Sequence, residues 1–192
     1  MKTVKAMAVA VLCAASACGY NGVIDKDEAV KGSWSEVENQ YQRRADLIPN
    51  LVNTVKGAAN FEQETLTRVI EARANATSIK MDASIVDDPE RLKRFEEAQA
   101  KLSGALSRLL ATVENYPDLK VSAAYRDLMA QLEGTENRIA VARQRYIANV
   151  ADYNAYVQKL PTSVGARIRG KSARATFTAS TPGAERAPEV KF

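Results

Sequence analysis

Eleven positions between Tyr125 and Leu160 recur at steps of three and four: Tyr125, Leu128, Leu132, Thr135, Ile139, Ala142, Tyr146, Val150, Tyr153, Val157 and Leu160. On a helix they form one stripe about five heptads long. A stripe of that length must be covered along its whole length, so the rest of the chain has to supply helices of comparable reach. Gly, Pro and aromatic residues are sparse while Ala, Leu, Val, Glu, Arg and Lys dominate, which agrees with an all-helical chain.

Three further helical segments follow from the apolar spacing. Val23, Val30, Trp34, Val37 and Tyr41 share a register that also contains Asp27. The register runs unbroken through Gly32 and Ser33, so one long first helix is predicted despite a Ser33-x-x-Glu36 capping pattern. Asp46 reads as an N-cap with Pro49 in the first turn, where a missing N–H costs little, so a second helix is predicted from about Leu47 to Ile79. Asp88-Pro89 reads as the start of a third helix carrying Leu92, Phe95, Leu102, Leu106, Leu109 and Val113, ending near Tyr116-Pro117. Ser122 is placed to cap the fourth. The expected architecture is an all-α, antiparallel up-and-down four-helix bundle with long helices, plus a basic irregular C-terminal tail. The rival arrangement treats Pro49 as a kink in one long helix. Connectivity puts the first turn, at Asp46, and the turn at Tyr116-Pro117-Asp118 at one end. The N-terminus, the 80–88 loop and the exit at Leu160-Pro161 share the other.

The N-terminus begins with Lys2 and Lys5, continues with an apolar run from Ala6 to Ala17, and reaches Cys18 after Ala15-Ser16-Ala17. The run has the length of a secretory h-region and is short for a transmembrane span. Cleavage before Cys18 with lipid attachment at that thiol is expected, giving a signal peptide over 1–17, a helical body over 18–160 and a basic tail over 161–192. The same small residues would suit release of a soluble protein at the same bond. Cys13 falls within the leader, so the processed chain holds no cysteine pair for an intramolecular disulfide.

The net charge of +4 is unevenly spread. Residues 20–160 carry 19 Lys and Arg against 21 Asp and Glu, while residues 161–192 carry six against two. A slightly acidic body argues against nucleic-acid binding. The basic Arg167, Arg169, Lys171 and Arg174 lie in a stretch rich in Gly, Ser, Ala and Thr and are candidate membrane contacts at the tethered end. Phe177 and the terminal Val190-Lys191-Phe192 could instead fold back onto the bundle. Gly57, Gly104 and Gly134 fall at similar depth in the predicted helices and are candidates for a waist, either close helix packing or a small-ligand pocket. Glu136, Arg143 and their polar neighbours would need partners if they point inward.

The chemistry the sequence can support is narrow. No histidine is present, which removes a Ser-His-Asp triad and the Glu-x-x-His pairs of bundle di-iron sites. The one cysteine beyond the leader is assigned to lipid, and no Gly-rich phosphate loop occurs. Carboxylate pairs such as Glu62/Glu64 and Glu96/Glu97 belong to polar helix faces. The expectation is a non-enzymatic protein without a cofactor or metal.

Several long ungapped segments resemble the LemA family. They are Gly19-Tyr20-Asn21, Arg43-Arg44-Ala45-Asp46-Leu47-Ile48-Pro49-Asn50-Leu51-Val52, Thr54-Val55-Lys56-Gly57, the run Leu102 to Leu110, Tyr116-Pro117-Asp118-Leu119-Lys120, Leu132 to Arg143, and the ending Ala187 to Phe192. The resemblance implies a helical bundle held at a bacterial membrane by its N-terminus, and no particular reaction. The functional expectation is a membrane-tethered bacterial envelope protein, on the exported side, acting as a scaffold or adaptor for another envelope protein. The alternatives are a ligand-binding bundle using the glycine waist, or a tail-driven binder of anionic lipid or cell-wall polymer.

Overall fold

The computed structural model describes residues 2–58 and 61–177, with side chains described from Asn21 onward. Among the described residues the chain is all-α: α1 (Lys2–Lys56), α2 (Gln63–Ser78), α3 (Pro89–Val113), α4 (Pro117–Lys120), α5 (Ala123–Gln158) and α6 (Thr162–Ile168), with a 3₁₀ turn over Ala83–Asp87. The predicted caps of α3 and α5 form. The Asp88 carboxylate accepts the Arg91 N–H at 3.0 Å, and the Ser122 hydroxyl accepts the Tyr125 N–H at 3.3 Å. Pro89 follows as the first residue of α3, where no donor is lost.

The predicted break at Asp46 does not occur. Helix α1 runs through Pro49 to Lys56, and the chain leaves it at Gly57 and Ala58 instead, with α2 starting at Gln63. A proline inside a helix frees the carbonyl four residues earlier, here that of Ala45. Arg73 of α2 donates its Nε–H to that oxygen at 2.7 Å. The group that would have ended the helix is thus satisfied from a neighbouring helix, and Asp46 lies mid-helix and exposed, receiving a hydrogen bond from Gln42. The displaced turn still shares its end with the Tyr116-Pro117-Asp118 turn: the Phe61 and Tyr116 rings lie 4.8 Å apart.

Helices α1 and α5 run antiparallel side by side. Tyr156 lies across Gly22, Lys26 pairs with Asp152, Asn149 donates to the Ala29 carbonyl at 3.3 Å, and Arg44 pairs with Glu136 at 2.9 Å. Gly22 is a position of close approach: a Cβ there would overlap the Tyr156 hydroxyl, the outer end of a half-buried side chain that would have to shift. The buried residues form two clusters along this axis. The distal one joins α1 from Leu47 to Val55 with α2, α3 from Ala98 to Val113, α4 and the start of α5. The proximal one, nearer the N-terminus, contains no buried residue of α2. It joins α1 from Val23 to Tyr41, the 3₁₀ turn, the start of α3 and α5 from Ile139 to Val157, together with Ala166 and Phe177. All four long helices therefore share a core only in the distal half. In the proximal half α6 and the strap over residues 171–177 take the fourth place.

The expected irregular tail holds for residues 171–177, which carry no regular secondary structure, but Thr162–Ile168 forms α6, and Phe177 folds back onto the bundle as the alternative reading allowed. The Asn154 side-chain amide clamps the Arg174 backbone, accepting its N–H at 2.7 Å and donating to its carbonyl at 3.1 Å. The Ala175 N–H donates to the Val86 carbonyl at 2.9 Å, and the Tyr146 hydroxyl donates to the Ala175 carbonyl at 2.6 Å. Burial pushes the Tyr146 hydroxyl well above the usual tyrosine range, so it stays a neutral donor. Phe177 then seals the core, 6.0 Å from the Trp34 ring and 5.4 Å from the Tyr146 ring.

Candidate functional site

Between the two apolar clusters lies a polar layer. Arg44 of α1 is buried, and its guanidinium donates to the Gln99 side chain, to the Ser103 hydroxyl at 3.2 Å and to Glu136 at 2.9 Å, while lying over the Tyr41 ring. Thr135 completes the layer, its hydroxyl donating to the Gln131 carbonyl at 2.7 Å. The inward polar groups foreseen around Glu136 and Arg143 are thus partnered. Arg143 donates to Glu96 at 3.3 Å and to the Tyr41 hydroxyl at 3.4 Å, and its guanidinium stacks 4.1 Å from the Phe177 ring. A charge in this position costs desolvation that only such a set of partners offsets. It also fixes the rotation of α1 against α3 and α5, because Arg44 reaches both.

A second polar cluster holds the strap. Asp27 of α1 is only 3% exposed. Its carboxylate accepts hydrogen bonds from Lys171 at 2.8 Å and from Arg174, and pairs with Lys31 at 3.2 Å; Arg174 also pairs with Asp87. Burial alone would raise the Asp27 carboxyl, but the hydrogen bonds from Lys171, Arg174 and Lys31 outweigh it and hold it at about 2. Two of the four predicted membrane-contact residues, Lys171 and Arg174, are therefore committed to an internal ion-pair cluster and not to headgroups. Arg167 remains exposed on α6, and Arg169 is half-buried.

The glycine waist does not form. Gly57 lies just past the end of α1, in the distal turn, and lines a groove of about 560 Å³ with Thr54, Tyr116 and Leu119. A Cβ added at Gly104 or Gly134 would meet nothing within 4 Å, so neither marks a close helix approach. The three came to one depth only through the predicted helix start at Leu47. A second opening in this half lies along the seam of α3 and α5. A groove of about 410 Å³ has Leu51 and Leu106 at its base, Leu110 and Met129 on its rim, and Ser103, Ser107, Glu133 and Glu136 beside it.

Cys18 and the Ala17–Cys18 bond lie outside the residues whose side chains are described, as do Val190, Lys191 and Phe192. Among the described residues no group of three or more His, Cys, Asp or Glu side chains could hold a metal ion, and no helix is long and apolar enough to cross a membrane.

The fold defines an all-α protein of long packed helices, with a buried polar layer between two apolar clusters. The LemA family model matches residues 33–192, and the chain belongs to the LemA family. It is 28% identical to magnetosome protein MamQ of Magnetospirillum gryphiswaldense, with 79% of this chain and 61% of that protein covered. It is 26% identical to magnetosome protein MamQ 2 of Paramagnetospirillum magneticum (88% and 68% covered) and 24% identical to protein LemA of Metamycoplasma hominis (71% and 58% covered). The chain thus spans only part of the length of these relatives. Together they support a membrane-associated protein.

Proposed function

We propose that the protein is a membrane-tethered, non-enzymatic adaptor of the bacterial envelope, held through lipid on Cys18 and binding another envelope protein through the distal half of its bundle. The observation that carries this reading is the polarity of the rod. The leader enters at one end, and the α3–α5 seam opens toward the other, roughly 40 Å away at 1.5 Å per residue of α1. A helix from a partner laid into that seam would cover Leu110 and Met129 and meet Glu133 and Glu136 at its edge, a helix-in-groove contact. The ligand-pocket reading loses its basis with the glycine waist, and the tail reading loses Lys171 and Arg174.

The test is cross-linking in intact cells from positions 107 and 133, followed by purification of the full chain from solubilised membranes. One stoichiometric envelope protein is expected, lost on Leu110→Glu or Met129→Glu at unchanged melting temperature. Equal capture by the rim variants would refute the seam as the docking face. Mass spectrometry of the purified chain reads the state of Cys18 directly, and an unmodified Cys18 or intact leader would refute the lipid tether.

A further inference from the structure

The α5 stripe ends in a residue that breaks its own pattern. Ten of its eleven members are buried, but Leu160 is 81% exposed. It lies past the end of α5, in the turn before Pro161, and is followed by Val164 (50% exposed) and Ile168 (79% exposed). Val164 and Ile168 are four apart on α6 and share a face, while Ala166 faces the core. Three of the eight large hydrophobic side chains exposed among the described residues thus fall within nine residues of chain. Scattered exposed aliphatics need no explanation, but a group on one short helix and the turn that leads into it does.

The position of α6 identifies what covers it. The antiparallel pairing of α1 and α5 sets Asn149 against Ala29, Lys26 against Asp152 and Gly22 against Tyr156. Carried on by one turn, the same register brings the chain after α5 level with the place where the apolar leader joins the body. The segment 159–169 contains Lys159, Arg167 and Arg169 and no acidic residue, and both Lys159 and Arg167 are exposed. An apolar face flanked by cations at the level of a membrane anchor is the composition of an interfacial helix.

We infer that α6 is a membrane-interface contact, with Leu160, Val164 and Ile168 entering the headgroup–acyl boundary of an anionic bilayer while Lys159 and Arg167 meet its lipid headgroups. The inference rests on the tether reading and adds to it a fixed posture. A tether alone leaves the rod free to lean, whereas a second contact beside it sets the bundle's tilt and so the height and direction of the distal seam.

The experiment uses the full chain in vesicles of phosphatidylglycerol and phosphatidylcholine, with bromines near the top of the acyl chains. The chain's one tryptophan, Trp34, is fully buried and provides the baseline. Val164→Trp adds a reporter on α6. Its added emission is expected to shift to the blue and be quenched by the shallow bromines, while the baseline emission is not. Adding Leu160→Ser and Ile168→Ser should abolish the quenching while the chain still floats with the vesicles. A floating chain whose position-164 reporter is unquenched and red-shifted overturns the α6 contact and leaves the tether standing. A chain that fails to float overturns both. A blue shift that is already complete without vesicles would mean a second copy covers the face, and would also overturn the inference.

Discussion

Substitution of Asp27 by Asn isolates the contribution of the strap latch. The variant keeps the size of the side chain and one acceptor oxygen, but leaves the guanidinium of Arg174, whose side chain is only 5% exposed, with Asp87 as its one remaining anionic partner in the cluster. Removing one member of a buried ion pair costs about 3–5 kcal/mol. The lower end applies here, about 3 kcal/mol, because Lys31 and Lys171 are partly solvated and can turn to water. Urea titration of the two proteins at neutral pH measures the difference. Trypsin gives a local readout, since cleavage after Arg174 requires the strap to leave α5 and should accelerate strongly in Asp27→Asn. The pH dependence provides a separate check. The carboxyl is held at about 2 in the folded chain against an ordinary 3.8, so its contribution is fully present above about pH 4 and is lost as pH falls through 2. That component amounts to about 2 kcal/mol, and the variant should lack it. A loss below about 1 kcal/mol with unchanged trypsin cleavage, or an acid slope identical to the wild type between pH 4 and 2, would refute the latch.

Substitutions at Arg73, Gly104 and Gly134 test the other two departures from the expected fold, the passage of α1 through Pro49 and the missing glycine waist. Arg73→Met should destabilise by about 1–3 kcal/mol in the presence of Pro49, because it strands the Ala45 carbonyl, and by much less in a Pro49→Ala background, where residue 49 supplies the missing N–H; equal costs in both backgrounds by denaturant titration would contradict the account of how α1 passes its proline. Gly104→Ala and Gly134→Ala should each stabilise by about 0.5–1 kcal/mol in thermal melts, since the added methyl meets open space and helix propensity rises, whereas destabilisation at either position would restore a close helix contact there.

Where the sequence was legible, the signal was repeated along a helix. Ten buried positions of α5 and the six expected on α3 follow from spacing alone, because every turn supplies the same information again. Caps at Asp88 and Ser122 were equally readable, since each cap and its target N–H lie three residues apart. Leu160 continues the stripe in sequence, but it lies outside the helix that gives the stripe its geometry. Gly104 and Gly134 show the converse: a glycine within a helix carries no mark of which face it occupies, while the glycine that does admit a neighbour, Gly22, depends on Tyr156 far along the chain.

The misread elements share a physical cause. Asp46-Leu47-Ile48-Pro49 looks like a helix start to any local rule, and it would be one if the Ala45 carbonyl had only its own helix to satisfy it. Its partner is Arg73, 28 residues away. The tail looks like a free basic arm because its cations outnumber its acids threefold, yet Lys171 and Arg174 answer an aspartate buried 144 and 147 residues earlier. Asp27 itself was visible as a member of an apolar register, which in a packed helix is a demand for cations from elsewhere in the chain. That demand divides the tail's charge: Lys171 and Arg174 neutralise the buried Asp27 of the proximal half, while Arg167 stays exposed on α6 beside Val164 and Ile168, the face we propose for the membrane.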